Sequence, residues 1–169
     1  GISIDEVSKP SHFSAAILSN HMEDIRIDIR DGEALKSIFS SIEPDFVFHL
    51  AAQALVRKSY DQTIDTWQTN TFGTINVLEC MRQYRVNKIV YAASSSCYGI
   101  PKKMPIKENC KISTLYPYSF SKNIAEQADT LNKLGSLSLN KTGMSQGMNL
   151  AASIGIPAVM GLVYKQGKA

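Results

Sequence analysis

The sequence predicts an α/β domain built on a doubly wound parallel sheet, and three observations lead to that class. Two short runs, FVFHL at 46–50 and KIVYAA at 88–93, are β-branched, aromatic and almost continuously apolar, the pattern of parallel strands covered on both faces. Longer stretches with helical spacing alternate with them, so the order reads strand, helix, strand, helix. Polar and small residues of chemical interest follow the runs: Asp28-Ile29, Ala51-Ala52 and Ser94-Ser95-Ser96. An open parallel sheet places its ligand there, beyond the carboxyl ends of the strands.

Taken in order, a first strand precedes the turn DIRD at 28–31, and residues 32–42 form a helix that stops before Pro44. The strand at 46–50 follows. Residues 64–82 read as the next helix, with Phe72, Ile75, Leu78 and Met81 recurring at three-residue spacing as its buried face. The strand at 88–93 ends in the serine run, and a further helix is expected from Pro117. Neither an internal repeat nor a low-complexity tract interrupts this order.

Composition narrows the function classes. A chain of 169 residues with 44% apolar and 20% charged content suits one soluble domain with a sizeable core. Its net charge of +3 is spread out, and only Arg57-Lys58 and Lys102-Lys103 are adjacent, so no basic stripe marks a nucleic-acid binder. Cys80, Cys97 and Cys110 form no CxxC pair and are odd in number, which argues against a disulfide framework or zinc site and for a reducing, cytoplasmic setting. His49, on an apolar strand, reads as a hydrogen-bonded core residue, and no metal constellation is found. The uncharged stretch 142–164 carries Ser145, Gln146, Asn149, Ser153 and Pro157, so no membrane span is expected.

The strongest chemical signal is PYSFSK, in which Tyr118 and Lys122 lie four residues apart, with Ser94 placed 24 residues earlier. A phenol titrates near pH ~10, so a tyrosine base needs a neighbouring positive charge to stabilise its phenolate. In a helix from Pro117, positions i and i+4 share a face, which sets the Lys122 ammonium beside the Tyr118 hydroxyl. Ser94 completes a hydrogen-bonded relay.

DIRD at 28–31, HLAAQALV at 49–56, NTFGT at 70–74, YAASSSCYG at 91–99 and YPYSFSK at 116–122 stand in one register across about a hundred residues. In that register the chain resembles the extended short-chain dehydrogenase/reductases of the NAD-dependent epimerase/dehydratase family, which act on nucleotide sugars. The resemblance implies an NAD cofactor with Asp28 and Ile29 bordering the adenine, Leu50, Ala51 and Ala52 lining the cleft, and Asn70 ordering the nearby loop. It implies Tyr118 as base, Lys122 on the nicotinamide ribose, and Ser94 with Ser95 and Ser96 facing the sugar. The reaction implied is transient oxidation of a sugar hydroxyl, commonly at C4. Family relatives commonly pair through the helix bearing Tyr118, which implies a homodimer.

Subfamily wording is mixed. The first half, through HLAAQALVRKSY, is most similar to CDP-glucose 4,6-dehydratases, whereas SSSCYGIPKKMP through YPYSFSK looks like UDP-sugar 4-epimerases. A dehydratase needs acid and base groups directly after its catalytic Ser or Thr, and Ser95 and Ser96 shuttle protons poorly near neutrality. The catalytic positions therefore favour a 4-epimerase. Against the family pattern, Gly1 corresponds to a position after the second strand, so the first βαβ unit, with its GxxGxxG turn and the sheet's central strand, is missing. The domain reads as a single partial dinucleotide-binding domain over 1–169, family-like to 128 and atypical over 129–169, with the substrate domain absent. A further strand is expected at 155–159. A non-catalytic remnant or interaction module is the alternative of another class.

Overall fold

A computed structural model describes residues 1–6, 8–101, 104–107 and 109–137, with the side chains of the last helix described as far as Ala128. The chain divides into a unit Gly1–Glu126 and a unit Gln127–Ala169, and the four strands and all the expected site residues belong to the first. The strand expected at 155–159 and the uncharged stretch 142–164 lie outside the described residues.

Among the described residues four strands form, all pairing in parallel. Strands β1 (Ile2–Ser3) and β2 (Ile25–Arg26) join in the register Ile2 to Ile25, and β3 (Val47–His49) and β4 (Ile89–Tyr91) in the register Val47 to Ile89 and His49 to Tyr91. The parallel α/β class is thus observed, but as two two-stranded sheets. The opening residues differ from expectation. Gly1 does not lie beyond a strand: the carbonyls of Gly1 and Ser3 accept hydrogen bonds from the Ile25 and Ile27 amides at 2.9 and 3.1 Å, which fixes β1 in place.

The sequence predicts strands covered on both faces, and β3 is not. Val47 and His49 turn inward, while Phe46, Phe48 and Leu50 are exposed, Phe48 by 68%. Alternate residues of a strand point to opposite faces, so one run supplies both sets. The rings of Phe46 and Phe48 stack at 4.9 Å on the open face.

A helical layer holds most of the core. Asp31 caps α2 (Gly32–Ile42) by accepting from the Glu33 and Ala34 amides at 3.1 and 3.0 Å. The helix stops at Glu43, left-handed at φ 48, because the residue before Pro44 is barred from the helical region. Leu35 and Phe39 pack from α2 toward Val77, Leu78, Cys80 and Met81 of α5 (Gly73–Gln83), and the Phe39 and Tyr84 rings lie 6.1 Å apart.

The helix expected over 64–82 is instead three elements: an α-helix at Thr63–Trp67, a π-turn at Gln68–Phe72, and α5. A helix over Val56–Asp61, not anticipated, precedes them. Numbered with the short α1 (His12–Ala15), these are α3 (Val56–Asp61) and α4 (Thr63–Trp67). Phe72 is 49% exposed although Leu78 and Met81 are buried. Three-residue spacing lags a 3.6-residue turn by roughly 60° per step, so Phe72 stands about half a turn away from Met81. Thr74, Val77, Leu78 and Met81 are the buried face. The last helix among the described residues is α6 (Pro117–Leu137).

Candidate functional site

The start of α6 is built to present Tyr118 and Lys122. Pro117 occupies the first helical position, where a missing N–H costs nothing. The Ser119 hydroxyl accepts from the Leu115 and Tyr116 amides, both at 3.2 Å, and donates to the Tyr116 carbonyl at 2.8 Å, closing the first turn. From outside the helix, the buried Ser59 hydroxyl of α3 accepts the Tyr118 amide at 3.2 Å. Tyr118 is half-buried and Lys122 buried, one turn apart on the same face.

Ser94 follows β4 and caps a 3-10 turn at Ser95–Tyr98, its hydroxyl accepting from the Ser96 amide at 3.3 Å and lying 2.7 Å from the Ser96 hydroxyl. Ser95 is exposed. Cys97 docks this turn on α6: its thiol donates to the Ser119 carbonyl at 3.5 Å. Burial, reinforced by Glu126, pushes the Cys97 thiol up, against the opposing pull of Lys122. The thiol therefore packs in its neutral form. The serine turn and the first turn of α6 are thus in contact, which brings Ser94 to the helix end that carries Tyr118.

Lys122 is 3% exposed, and burial lowers its pKa against the favourable fields of Cys97 and Glu126. Its Nζ stands 4.3 Å from the centroid of the Tyr91 ring. Behind that ring lies His49, which is hydrogen-bonded within the core as expected, Nε2 to Thr74 Oγ1 at 2.8 Å. Since the Thr74 hydroxyl gives its proton to the Asn70 carbonyl at 2.7 Å, His49 Nε2 is the donor. Burial, with Lys122 adding, holds His49 down at about 4, so it is neutral near pH 7.

The residues assigned to the cofactor are dispersed over both sheets. Asp28 follows β2 and binds Arg30 through two contacts of 2.7 and 2.5 Å, which lower its pKa, and Arg30 also reaches Asp65 at 2.7 Å. A cavity of about 440 Å³ lined by Arg30, Gln68 and Phe72 opens there. Ile29 is buried against Gly73, and its carbonyl accepts from Asn76 at 3.1 Å. Leu50 is exposed and Ala51 and Ala52 half-buried beyond β3. Asn70 is buried and clamps the loop after them: its Oδ1 accepts the Gln53 amide at 2.8 Å, and its Nδ2 donates to the Gln53 carbonyl and the Ser121 hydroxyl, both at 3.1 Å.

These residues suit the ribose and nicotinamide end of a dinucleotide. Ala51 and Ala52 leave backbone approachable, and Lys122 brings an ammonium that stands over the Tyr91 ring. No GxxGxxG occurs in the 169 residues, so the pyrophosphate anchor of the family is not supplied by them. Among the described residues no cluster of metal ligands forms, and no helix is long and apolar enough to cross a membrane.

Sequence reasoning does not single out Gln53, Ser59, Thr66, Thr71, Ser121 or Tyr91, yet they hold the site together. Gln53 donates to Thr66 at 2.9 Å, and Thr71 donates to the Ser121 carbonyl at 3.1 Å. A signal is present: Thr66, Asn70 and Thr74 recur every four residues, a polar stripe on the buried side of a helical segment.

A family model described as GDP-mannose 4,6 dehydratase matches residues 4–130. The chain belongs to the NAD-dependent epimerase/dehydratase family of Rossmann-like nucleotide-sugar enzymes. It is 38% identical over 128 residues to the CDP-glucose 4,6-dehydratase of Salmonella typhimurium, covering 75% of this chain and 36% of that protein. It is 41% identical over 107 residues to a putative UDP-glucose 4-epimerase of Methanocaldococcus jannaschii, covering 62% and 34%. The UDP-glucose 4-epimerase of Bifidobacterium longum, solved with NAD+ and UDP, superposes with a TM-score of 0.66 at 29% identity over 76% of this chain and 40% of that one. The chain spans about a third of the length of these curated relatives.

Proposed function

We propose that the chain carries the oxidising half-site of an NAD-dependent nucleotide-sugar 4-epimerase, with Tyr118 as base, Lys122 as its electrostatic partner and Ser94 as hydrogen-bonding guide of the sugar hydroxyl. The observation that carries the reading is the joint placement of Tyr118 and a buried Lys122 on one helix face, with the Ser94 turn docked on that helix through Cys97 and Ser119. Bound NAD supplies the hydride acceptor. The positive charge of Lys122 stabilises Tyr118 as the phenolate, which takes the proton of the C4 hydroxyl and becomes a phenol, while Ser94 holds the oxygen in line. Ser95 and Ser96 offer no carboxyl or amine for the elimination of water, which favours inversion at C4. Asp28, Ile29, Leu50, Ala51, Ala52 and Asn70 border or support the cofactor, and a homodimer in a reducing, cytoplasmic setting belongs to the same reading.

A 4,6-dehydratase is the second reading, favoured by the matched family model and by the 38% identity to a CDP-glucose enzyme. Incubation of the purified protein with NAD and either UDP-glucose or CDP-glucose, followed by mass spectrometry and sugar analysis, separates the two. A 4-epimer of unchanged mass supports the epimerase, and a product lighter by one water supports the dehydratase. No turnover together with no NAD-induced rise in melting temperature leaves the non-catalytic remnant.

A further inference from the structure

We propose that Tyr91 is a positioning residue of the Tyr118–Lys122 site: the face of its ring holds the Lys122 ammonium at the end of β4 without occupying the ammonium's role as an open cation and donor. The role is stated within the oxidising-site reading above, but the contact itself can be tested without cofactor or sugar.

A lysine with 3% exposure has lost most of its hydration and needs a compensating partner. A carboxylate paired directly with Nζ would give the strongest compensation, but it would cancel most of the positive field that a neighbouring phenolate requires and would take up N–H donors. An aromatic face does neither, because its quadrupole attracts the cation while adding no net charge. Lys122 Nζ lies 4.3 Å from the Tyr91 centroid, inside the range of an effective cation–π contact.

The ring itself is fixed. Tyr91 is the last residue of β4, its backbone registered against His49, and the two rings tilt together with centroids 5.6 Å apart. The Tyr91 hydroxyl makes a long 3.5 Å contact with the Lys122 carbonyl, so ring and hydroxyl grip opposite ends of one residue. Burial drives the Tyr91 phenol far upward, which keeps it protonated throughout the working range, unlike the base role proposed for Tyr118. The other groups acting on Lys122 are the Cys97 thiol and the Glu126 carboxylate, which favour the ammonium, and His49, which feels its charge and is neutral near pH 7.

The test follows the Lys122 side-chain carbon next to Nζ by NMR in protein labelled with carbon-13 at lysine, the resonance being assigned with Lys122→Arg. In the wild-type protein its attached protons are expected to shift upfield over the Tyr91 ring. Tyr91→Phe keeps the face and is expected to titrate like wild type. Tyr91→Leu removes the face, and the neutral fraction of Lys122 at a given pH is expected to rise about tenfold. Equal titration in wild type and Tyr91→Leu overturns the proposal, and so does a Tyr91→Phe protein that behaves like Tyr91→Leu, since the hydroxyl would then be the partner. If Tyr91→Leu does not fold, the wild-type ring shift decides, and its absence refutes the contact. None of these readouts involves NAD or turnover, so failure of the epimerase reading leaves them unaffected.

Discussion

The Asn70 carboxamide donates to the Ser121 hydroxyl at 3.1 Å, joining the π-turn to the helix that carries Tyr118 and Lys122. The same carboxamide exchanges two hydrogen bonds with the Gln53 backbone, so one side chain ties the loop after β3 to α6. A π-turn adds a residue to the helical repeat and re-aims the side chains beyond it. Here it turns Asn70 and Thr71 inward, both at most 2% exposed.

Asn70→Ala is therefore expected to strand a buried amide and a buried carbonyl of Gln53, at a cost of about 3 kcal/mol. Ser121→Ala removes one partner of Asn70 and should cost about 1 kcal/mol. Urea unfolding with unchanged slope measures both. Equal, near-zero losses would show that water takes over these bonds and that the loop is not held by them.

His49 gives the fold a definite response to acid. Its folded pKa is depressed to about 4, below the usual value near ~6.5, so the unfolded chain binds the extra proton between those limits. The stability tied to a neutral His49 is present above pH ~6.5 and is lost as pH falls toward 4, by about 3 kcal/mol in all. A His49→Gln variant should lose stability near pH 7 yet show a flatter decline across that window. Parallel pH profiles for the two proteins, measured by denaturant unfolding, would contradict the assignment.

Gly99 closes the serine turn at φ 64 and ψ −136, a region that side chains avoid, and a Cβ there would stand 2.5 Å from the Ser113 carbonyl oxygen. Gly99→Ala is expected to cost about 2–3 kcal/mol. Because the turn also carries Ser94, catalytic turnover should fall in the folded fraction, whereas the His49 pH response should remain. Thermal unfolding and turnover measured on the same sample separate these effects.

How far the site is legible in the sequence depends on which residues act locally and which act across the fold. The 32–42 helix can be read to the residue because its signals, Asp31 at the cap and Pro44 after the end, lie within the segment itself. Tyr118 and Lys122 are legible for the same reason, as a spacing within one helix. Ser59, Gln53 and Tyr91 are not, since each contacts α6 or its supports from a distant part of the chain, and no local pattern marks such a partner. Phe72 misleads because period three resembles a helix face over one or two turns only. The division of the described strands into two pairs is not legible, as strand pairing leaves no trace in the sequence of a single strand.

The role of Tyr118 is open to a direct test through its hydroxyl. Tyr118→Phe removes one oxygen and leaves the backbone amide that donates to Ser59 at 3.2 Å, so the start of α6 should stand unchanged. Loss of a positioned general base typically slows turnover by about 10²–10⁴-fold. Cofactor binding should persist, because Lys122, Ala51 and Ala52 are untouched. Bound ligand stabilises the folded state by RT ln(1 + [L]/Kd), so NAD at about 100-fold over Kd should still add about 2.7 kcal/mol in both proteins. Turnover retained in Tyr118→Phe would remove the phenol from the chemistry. Loss of the NAD-induced stabilisation would make Tyr118 a binding group instead, and only the combination of lost turnover with retained stabilisation matches a base poised by the ammonium of Lys122.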